Sequence, residues 1–254
     1  MEYAIVRVPA APMRLKARHQ VEMTSQLLFG EAVKVIKTKG LWVKVMSLHD
    51  QYEGWITSNL LEPIEEAEAR QRTEYVTGDL LNTIMFEEKT MQVPRGATLP
   101  LFAGEKGKLG SLDYSFGGNS IQRHNETPTA ELLIKLVQQW MNAPYMWGGR
   151  TILGVDCSGF VQVNYKMMGI DLPRDAWQQA QEGKSVKKLK EAQTGDLAFF
   201  DDRDEIVHVG ILLSSEKIIH ASGKVRIDDI DKKGIINTDT EKRTHRLRAI
   251  RRIW

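Results

Sequence analysis

The stretch Gly154-Val155-Asp156-Cys157-Ser158-Gly159-Phe160-Val161, "GVDCSGFV", holds the single cysteine of a 254-residue chain, and the fold of the C-terminal half turns on how it is read. An apolar-periodic run follows it: Phe160, Val163, Asn164 and Met167 share one face, and Gly169 with Pro173 closes the pattern. The spacing predicts a helix with Cys157 in its first turn. A free thiol ionises near ~8.5, and a helix N-terminus beside an imidazolium lowers that value to ~3.5–7.5. The position therefore predicts a thiol that ionises well below the free value. A lone cysteine is also a small hydrophobe suited to a core, so its partners must decide.

Downstream of Gly195-Asp196, "DLAFF", "EIVHVGILLSS" and "EKIIHASGKVRI" read as three consecutive strands. In the second, Val207, Val209, Ile211 and Leu213 share one face, and His208, Gly210 and Leu212 the other. A turn around "LSSEK" places His220 opposite or nearly opposite His208, so two imidazoles meet on one sheet face. A base and an orienter within reach of a thiol form the constellation of nucleophilic catalysis. A His-His-Cys zinc site and two merely structural histidines are the other readings of the same residues.

Hydrophobic residues make up 42% and charged residues 27% of the chain, the profile of a soluble globular protein. Its 35 basic and 33 acidic residues are mixed and leave a net charge of +2, so no footprint for nucleic acid stands out. The basic run "KRTHRLRAIRRIW" reads as a final strand with Leu247, Ala249 and Ile253 alternating against solvated arginines. One cysteine excludes an internal disulfide framework. No apolar run approaches the ~18 residues of a membrane span. The opening "MEYAIVRVPAAPMRL" lacks the pattern of a secretory leader, which gives a cytoplasmic expectation, or a periplasmic or secreted one if a leader has been removed. No obligate protein partner is evident.

Three regions follow from the patterning. Residues 1–63 carry short β runs such as "EAVKVI", "LWVKVM" and "EGWIT", the mark of a small barrel. Residues 64–126 begin with the charged stretch "IEEAEARQRTEY", a linker or short exposed helix, and continue with glycine-rich β runs expected to form a second barrel. Residues 127–254 open with "TPTAELLIKLVQQWMNAPY". A capping Thr127, first-turn Pro128 and Glu131 start an amphipathic helix there, its apolar face Leu132, Leu133, Leu136, Val137, Trp140 and Met141, ending near Asn142.

"YMWGGRTILGVDCSGFV", "LPRDAWQQA", "TGDLAFF", "HVGILL" and "IIHASG" resemble, in order and spacing, the NlpC-type papain-like cysteine peptidases that cleave bacterial cell-wall peptides. The resemblance covers about residues 127 to 254. "VEMTSQLLFGEAVKV" and "YEGWI" are similar to the SH3-like barrels that precede the catalytic domain in γ-D-glutamyl-L-diamino acid endopeptidases of murein peptide recycling. The resemblance implies an α+β fold: a circularly permuted papain-like cysteine peptidase domain behind two small SH3-like β-barrels. It implies Cys157 as nucleophile, His208 as the proton-transferring base, His220 as its orienter and Tyr145 as an oxyanion donor. It places Asp156, Ser158, Arg174 and Asp175 at the substrate pocket, and Glu22 and Tyr52 where relatives receive the free amine of an N-terminal L-Ala, with Asp156 completing that cage. Some members carry Ser where this chain has Ala176. No metal or cofactor is implied.

The expected activity is hydrolysis of the γ-D-glutamyl–L-diamino acid bond in murein peptides. The rival readings are a secreted endopeptidase trimming intact peptidoglycan with the barrels as wall-binding modules, a non-catalytic wall-binding protein, and an acyltransferase on the same fold.

Overall fold

The computed structural model describes residues 1–71, 74–125 and 127–254. Arg72 and Thr73, in the expected linker, and Glu126, at the end of the expected second region, lie outside the described residues. The chain divides into two compact units, Met1–Glu126 with Trp147–Ile152, and Thr127–Met146 with Leu153–Trp254.

In the first unit, seven antiparallel strands come first: β1 (Tyr3–Val6), β2 (Ala10–Arg14), β3 (Met23–Leu28), β4 (Ala32–Lys39), β5 (Trp42–Ser47), β6 (Glu53–Thr57) and β7 (Leu61–Ile64). Their order is β3-β2-β6-β5-β4-β1-β7. Strand β5 shows the cause, since Val43, Val45 and Ser47 are buried while Trp42, Lys44 and Met46 are half-buried, a strict period of two. Inward side chains from all seven strands, among them Ala4, Met13, Leu27, Val33, Val45, Ile56 and Leu61, form one aliphatic core. A bulge between Val35 and Lys37 breaks the alternation of β4 and leaves Ile36 exposed.

The charged stretch that follows forms a single helical turn, α1 (Glu66–Ala69), with Ala69 buried. Beyond it lie β8 (Tyr75–Thr77), β9 (Leu81–Phe86), β10 (Lys89–Pro94), β11 (Thr98–Leu99), β12 (Lys106–Leu109), β13 (Leu112–Ser115) and β14 (Ser120–Gln122). They make a four-stranded sheet, β10-β9-β13-β12, and a three-stranded one, β11-β8-β14. Their shared core is aromatic: Phe29, Tyr114 and Phe116 pack with the half-buried Phe86 and Phe102.

The short strand β15 (Arg150–Thr151) also belongs to this first unit, although the sequence regions placed it in 127–254. Buried Arg150 supplies the reason. Its guanidinium donates to both carboxylate oxygens of Glu31, at 2.8 and 3.0 Å, and its amide donates to Gln26 Oε1 at 2.8 Å.

The second unit starts with α2 (Ala130–Gln138), capped by Thr129, whose hydroxyl accepts from the Leu132 amide at 3.1 Å. The cap is thus Thr129 rather than Thr127, and Pro128 precedes the helix instead of lying in its first turn. After β16 (Gly154–Val155) comes α3 (Cys157–Met167). Every α3 residue is buried, including Gln162, Asn164 and Lys166, so the helix is not amphipathic but central. The short α4 (Ala176–Gln179) and β17 (Lys184–Ser185) follow.

Six strands then close into a barrel: β18 (Leu197–Asp202), β19 (Glu205–Leu212), β20 (Lys217–Ser222), β21 (Lys224–Asp231), β22 (Gly234–Ile236) and β23 (Arg243–Arg252). Closure comes from β23, which pairs with β18 on one side and β22 on the other. Ala198, Phe200, Leu212, Ile218, Ile230, Ile235 and Ile250 form a core cluster among these strands. Helix α3 packs on β19, β20 and α2.

Two expectations are corrected here. "EKIIHASGKVRI" is two strands, because the chain reverses at Gly223, whose φ of +69° is a left-handed conformation that favours glycine. The arginines of β23 are not simply solvated. Arg243 pairs with Asp231 at 2.6 Å, Arg246 with Asp201 at 3.0 Å and Arg252 with Asp196 at 2.7 Å. A register shift in the β18–β23 pairing resets the alternation, so Ile250 is buried while Ala249 is half-buried. Among the described residues no helix is long and apolar enough to cross a membrane.

Candidate active site

Cys157 is the first residue of α3, and the preceding Asp156 is its N-cap. Asp156 Oδ1 accepts from the Gly159 amide at 2.7 Å, satisfying one of the open donors of the helix start. Arg174, also buried, donates to Asp156 Oδ1 at 3.0 Å, to Asp156 Oδ2 at 2.5 Å and to Ser158 Oγ at 2.8 Å. Three of the expected pocket residues are therefore joined in one buried network. Such a buried pair is tolerated because both carboxylate oxygens accept from the guanidinium, which also donates to Ser158.

The loop carrying Arg174 is fastened from below. Gln162 of α3 donates to the Leu172 carbonyl at 3.0 Å, and Gln179 of α4 donates to the carbonyls of Pro173 at 2.8 Å and Ser158 at 3.2 Å. Asp175 is the N-cap of α4, and its amide donates to Gln178 Oε1 at 3.1 Å. The methyl of Ala176, where some relatives have a hydroxyl, is buried at the start of α4.

The Cys157 thiol is 5% exposed and accepts the backbone N–H groups of Val209 and Ser158. Val209 immediately follows His208 on β19, so the hydrogen bond fixes the sulfur against the histidine strand. Burial pushes the thiol up to about 12, with the Asp156 carboxylate adding to the rise and the two N–H donors opposing it. This runs against the expected low thiol value: the helix start is buried, and its capping carboxylate is a nearby negative charge.

Tyr145 is held by its amide, which donates to the Gly223 carbonyl at 2.9 Å, and by a parallel bridge to Val155. Its phenol is raised well above its ordinary value, first by burial and then by the charges of Cys157 and Asp156, so it remains a hydroxyl donor.

The histidine side of the site extends further than the sequence suggested. His208 Nε2 meets His220 Nδ1 at 2.8 Å, and His220 Nε2 meets Asp228 Oδ2 at 3.0 Å. The two histidines lie diagonally on one sheet face, because the β19–β20 register puts Gly210 across from His220. A Cβ at Gly210 would lie 2.9 Å from that of His220, which is why the strand carries glycine there. Since Nε2 of His208 is spent on His220, Nδ1 is the nitrogen left to exchange a proton.

Burial would raise the Asp228 carboxyl, but hydrogen bonds from His220, Arg226 and Thr238 outweigh it and hold the group well below the carboxylate range. Arg226 donates to it at 2.7 and 2.8 Å, and the Thr238 amide and hydroxyl both at 3.0 Å. His208 itself is pushed well below its ordinary value by burial and by the neighbouring imidazoles of His220 and His245. Burial thus favours the neutral form of both the thiol and the imidazole.

Asp228, with Arg226 and Thr238, was not among the expected site residues. Its only sequence signal is that it shares strand parity with His220, and this becomes visible once the chain is known to reverse at Gly223. The facing nitrogens of His208 and His220 are spent on each other. Among the described residues, no group of three or more His, Cys, Asp or Glu side chains is placed to hold a metal ion.

Glu22 and Tyr52 belong to the first unit. Glu22 Oε1 accepts from Trp147 Nε1 at 2.7 Å, and the half-buried Tyr52 packs against the aliphatic core of β1–β7.

Residues 142–244 match the NlpC/P60 family, and residues 13–61 match the bacterial dipeptidyl-peptidase Sh3 domain. The chain is 32% identical over 213 residues to a γ-D-glutamyl-L-lysine dipeptidyl-peptidase of Bacillus subtilis, a match covering 78% of this chain and 71% of that protein. The chain belongs to the NlpC/P60 family. A dipeptidyl-peptidase of the same name from Bacillus cereus is 29% identical over 228 residues, 79% of this chain and 67% of that one. The crystal structure of an NlpC/P60 family protein from Bacillus cereus superposes with a TM-score of 0.83 at 23% identity, covering 98% of this chain and 99% of that chain. The fold is therefore that of an NlpC/P60 papain-like domain with an N-terminal SH3-like domain, and the family match with the two relatives makes the chain an NlpC/P60-family peptidase.

Proposed function

We propose that this NlpC/P60 peptidase is a cysteine peptidase that hydrolyses the γ-D-glutamyl–L-diamino acid bond of murein peptides bearing a free N-terminal L-Ala. The observation that carries the chemistry is the chain His208–His220–Asp228, which starts on the strand whose Val209 amide holds the Cys157 sulfur. The bond assignment is supported by the two relatives named γ-D-glutamyl-L-lysine dipeptidyl-peptidase.

In this reading His208 Nδ1 takes the thiol proton as Sγ attacks the scissile carbonyl carbon. His220 holds the ring, and Asp228 shares the positive charge that appears across the two imidazoles. Tyr145 and a backbone amide at the start of α3 donate to the oxyanion, a contribution of ~2.7–4 kcal/mol for one such donor. Collapse of the tetrahedral intermediate passes the proton to the leaving amine, and water then hydrolyses the thioester with His208 again as base. Since burial favours the neutral thiol and imidazole, proton transfer and attack proceed together in this reading.

The requirement for a free amine is part of the same proposal. The test is mass spectrometry of L-Ala-γ-D-Glu-diaminopimelate, its lysine counterpart and the N-acetylated peptides after incubation with the enzyme. Release of L-Ala-γ-D-Glu from the free peptides alone supports the reading. Equal cleavage of the acetylated peptides would favour an endopeptidase trimming intact peptidoglycan.

A further inference from the structure

His245 is a half-buried residue of β23 that neither the sequence motifs nor the relay accounts for. Its ring lies over that of His208, with centroids 4.3 Å apart and planes 25° from parallel. Phe200 of β18, the cross-strand partner of His208, closes another side at 5.8 Å, and His220 meets His208 edge-on at 5.0 Å. The base is thus boxed by three rings, and His245 is the one stacked on its face.

We propose that His245 is a positioning residue for the reaction, its ring face holding the His208 plane and supporting the positive charge that His208 acquires when it takes the Cys157 proton. The inference rests on the cysteine-peptidase reading above. An aromatic face is the negative part of the ring's charge distribution, so a forming imidazolium stacked on it is favoured, whereas a charged neighbour would oppose it. The surroundings keep that face uncharged. His245 is flanked by Phe200, His208, His220 and the hydroxyl of Thr244, with its Nδ1 2.8 Å from Thr244 Oγ1, and burial with the His220 ring lowers it to about 4 despite the Asp228 charge.

The test compares His245→Leu, which keeps bulk without a ring, with His245→Phe, which keeps the face. Two readouts are used: kcat and KM on the peptide, and the iodoacetamide alkylation rate of Cys157 at pH 7, which needs no substrate. Far-UV circular dichroism checks the fold of each variant. His245→Leu is expected to lower kcat and alkylation about 3- to 10-fold with KM unchanged, and His245→Phe to restore both to within about 2-fold. A His245→Leu enzyme with wild-type kcat and alkylation, or a folded His245→Phe variant as impaired as His245→Leu, would overturn the proposal. If the wild type cleaves no peptide the cysteine-peptidase reading fails by itself, while alkylation still decides the role of His245.

Discussion

Two buried polar networks flank Cys157 in the second unit, and they are built for opposite ends. On one side Asp156, Ser158 and Arg174 form a fixed ion pair in which both carboxylate oxygens accept from the guanidinium. On the other, His208, His220 and Asp228 form a chain of two imidazoles and a carboxylate, and an imidazole can gain and lose a proton. The first network holds charges that never move, so its work is to fix the start of α3. In the second, Asp228 is already charged, and in the proposed mechanism His208 becomes charged only during reaction, so its work is to receive a proton. On the proposed mechanism a site can be buried, which favours neutral groups, and still stabilise a transient cation, because Asp228 keeps its negative charge in reserve.

The comparison is broken most severely by removing the groups that exchange the proton. Cys157→Ala and His208→Ala should each lower kcat at least ~10⁴-fold, with unchanged circular dichroism, in a peptide hydrolysis assay. The fixed network should respond differently. Asp156→Ala strands the Arg174 charge in the core and should cost about 3–5 kcal/mol in urea unfolding. Asp228→Asn, by contrast, leaves Arg226 its second partner Asp239, 2.9 Å away, so its stability loss should stay near 1–2 kcal/mol while kcat falls about 10- to 100-fold. Reversed rankings, with Asp228→Asn the less stable and Asp156→Ala the slower per folded molecule, would undo the division of labour.

The roles within the relay separate more finely. His220→Asn still offers one hydrogen bond to His208, so it should keep ~10-fold or more of the activity that His208→Asn loses. Equal loss in two folded variants would mean that both rings transfer protons.

Smallest is the effect of pH on stability. His208 and His245 have folded values below the ordinary ~6.5, so on acidification the unfolded chain takes up protons first. Their contribution is complete above ~6.5 and is lost as pH falls, for His245 through about 4. The thermal midpoint should therefore decline from pH ~6.5 downward, and His245→Phe should decline less steeply over pH 6.5 to about 4. Identical slopes would remove His245 from the set of buried neutral groups. At the alkaline end the raised thiol predicts iodoacetamide reactivity that climbs past pH ~8.5 without an earlier plateau.

How much of this was legible in the sequence depended on whether a residue's partner was local. The helix start at Cys157 followed from periodicity within α3, and the shared face of His208 and His220 followed from strand alternation. Thr129 displaced Thr127 as a cap because two hydroxyls compete within three positions, and only one meets the Leu132 amide. Asp228 was hidden because a single glycine, Gly223, decides whether "EKIIHASGKVRI" is one strand or a hairpin. His245 was hidden in a run of arginines, since stacking on His208 depends on how β23 closes the barrel. The thiol value was misjudged for a different reason. Helix position and histidines are visible in a sequence, but the completeness of burial that opposes ionisation is not.

The most direct test of the central claim is the mass spectrum of products from L-Ala-γ-D-Glu-diaminopimelate, with wild type and Cys157→Ala side by side. The account predicts L-Ala-γ-D-Glu and free diaminopimelate with the wild type and intact peptide with the variant. Intact peptide with both enzymes, or the same products with both, would contradict it.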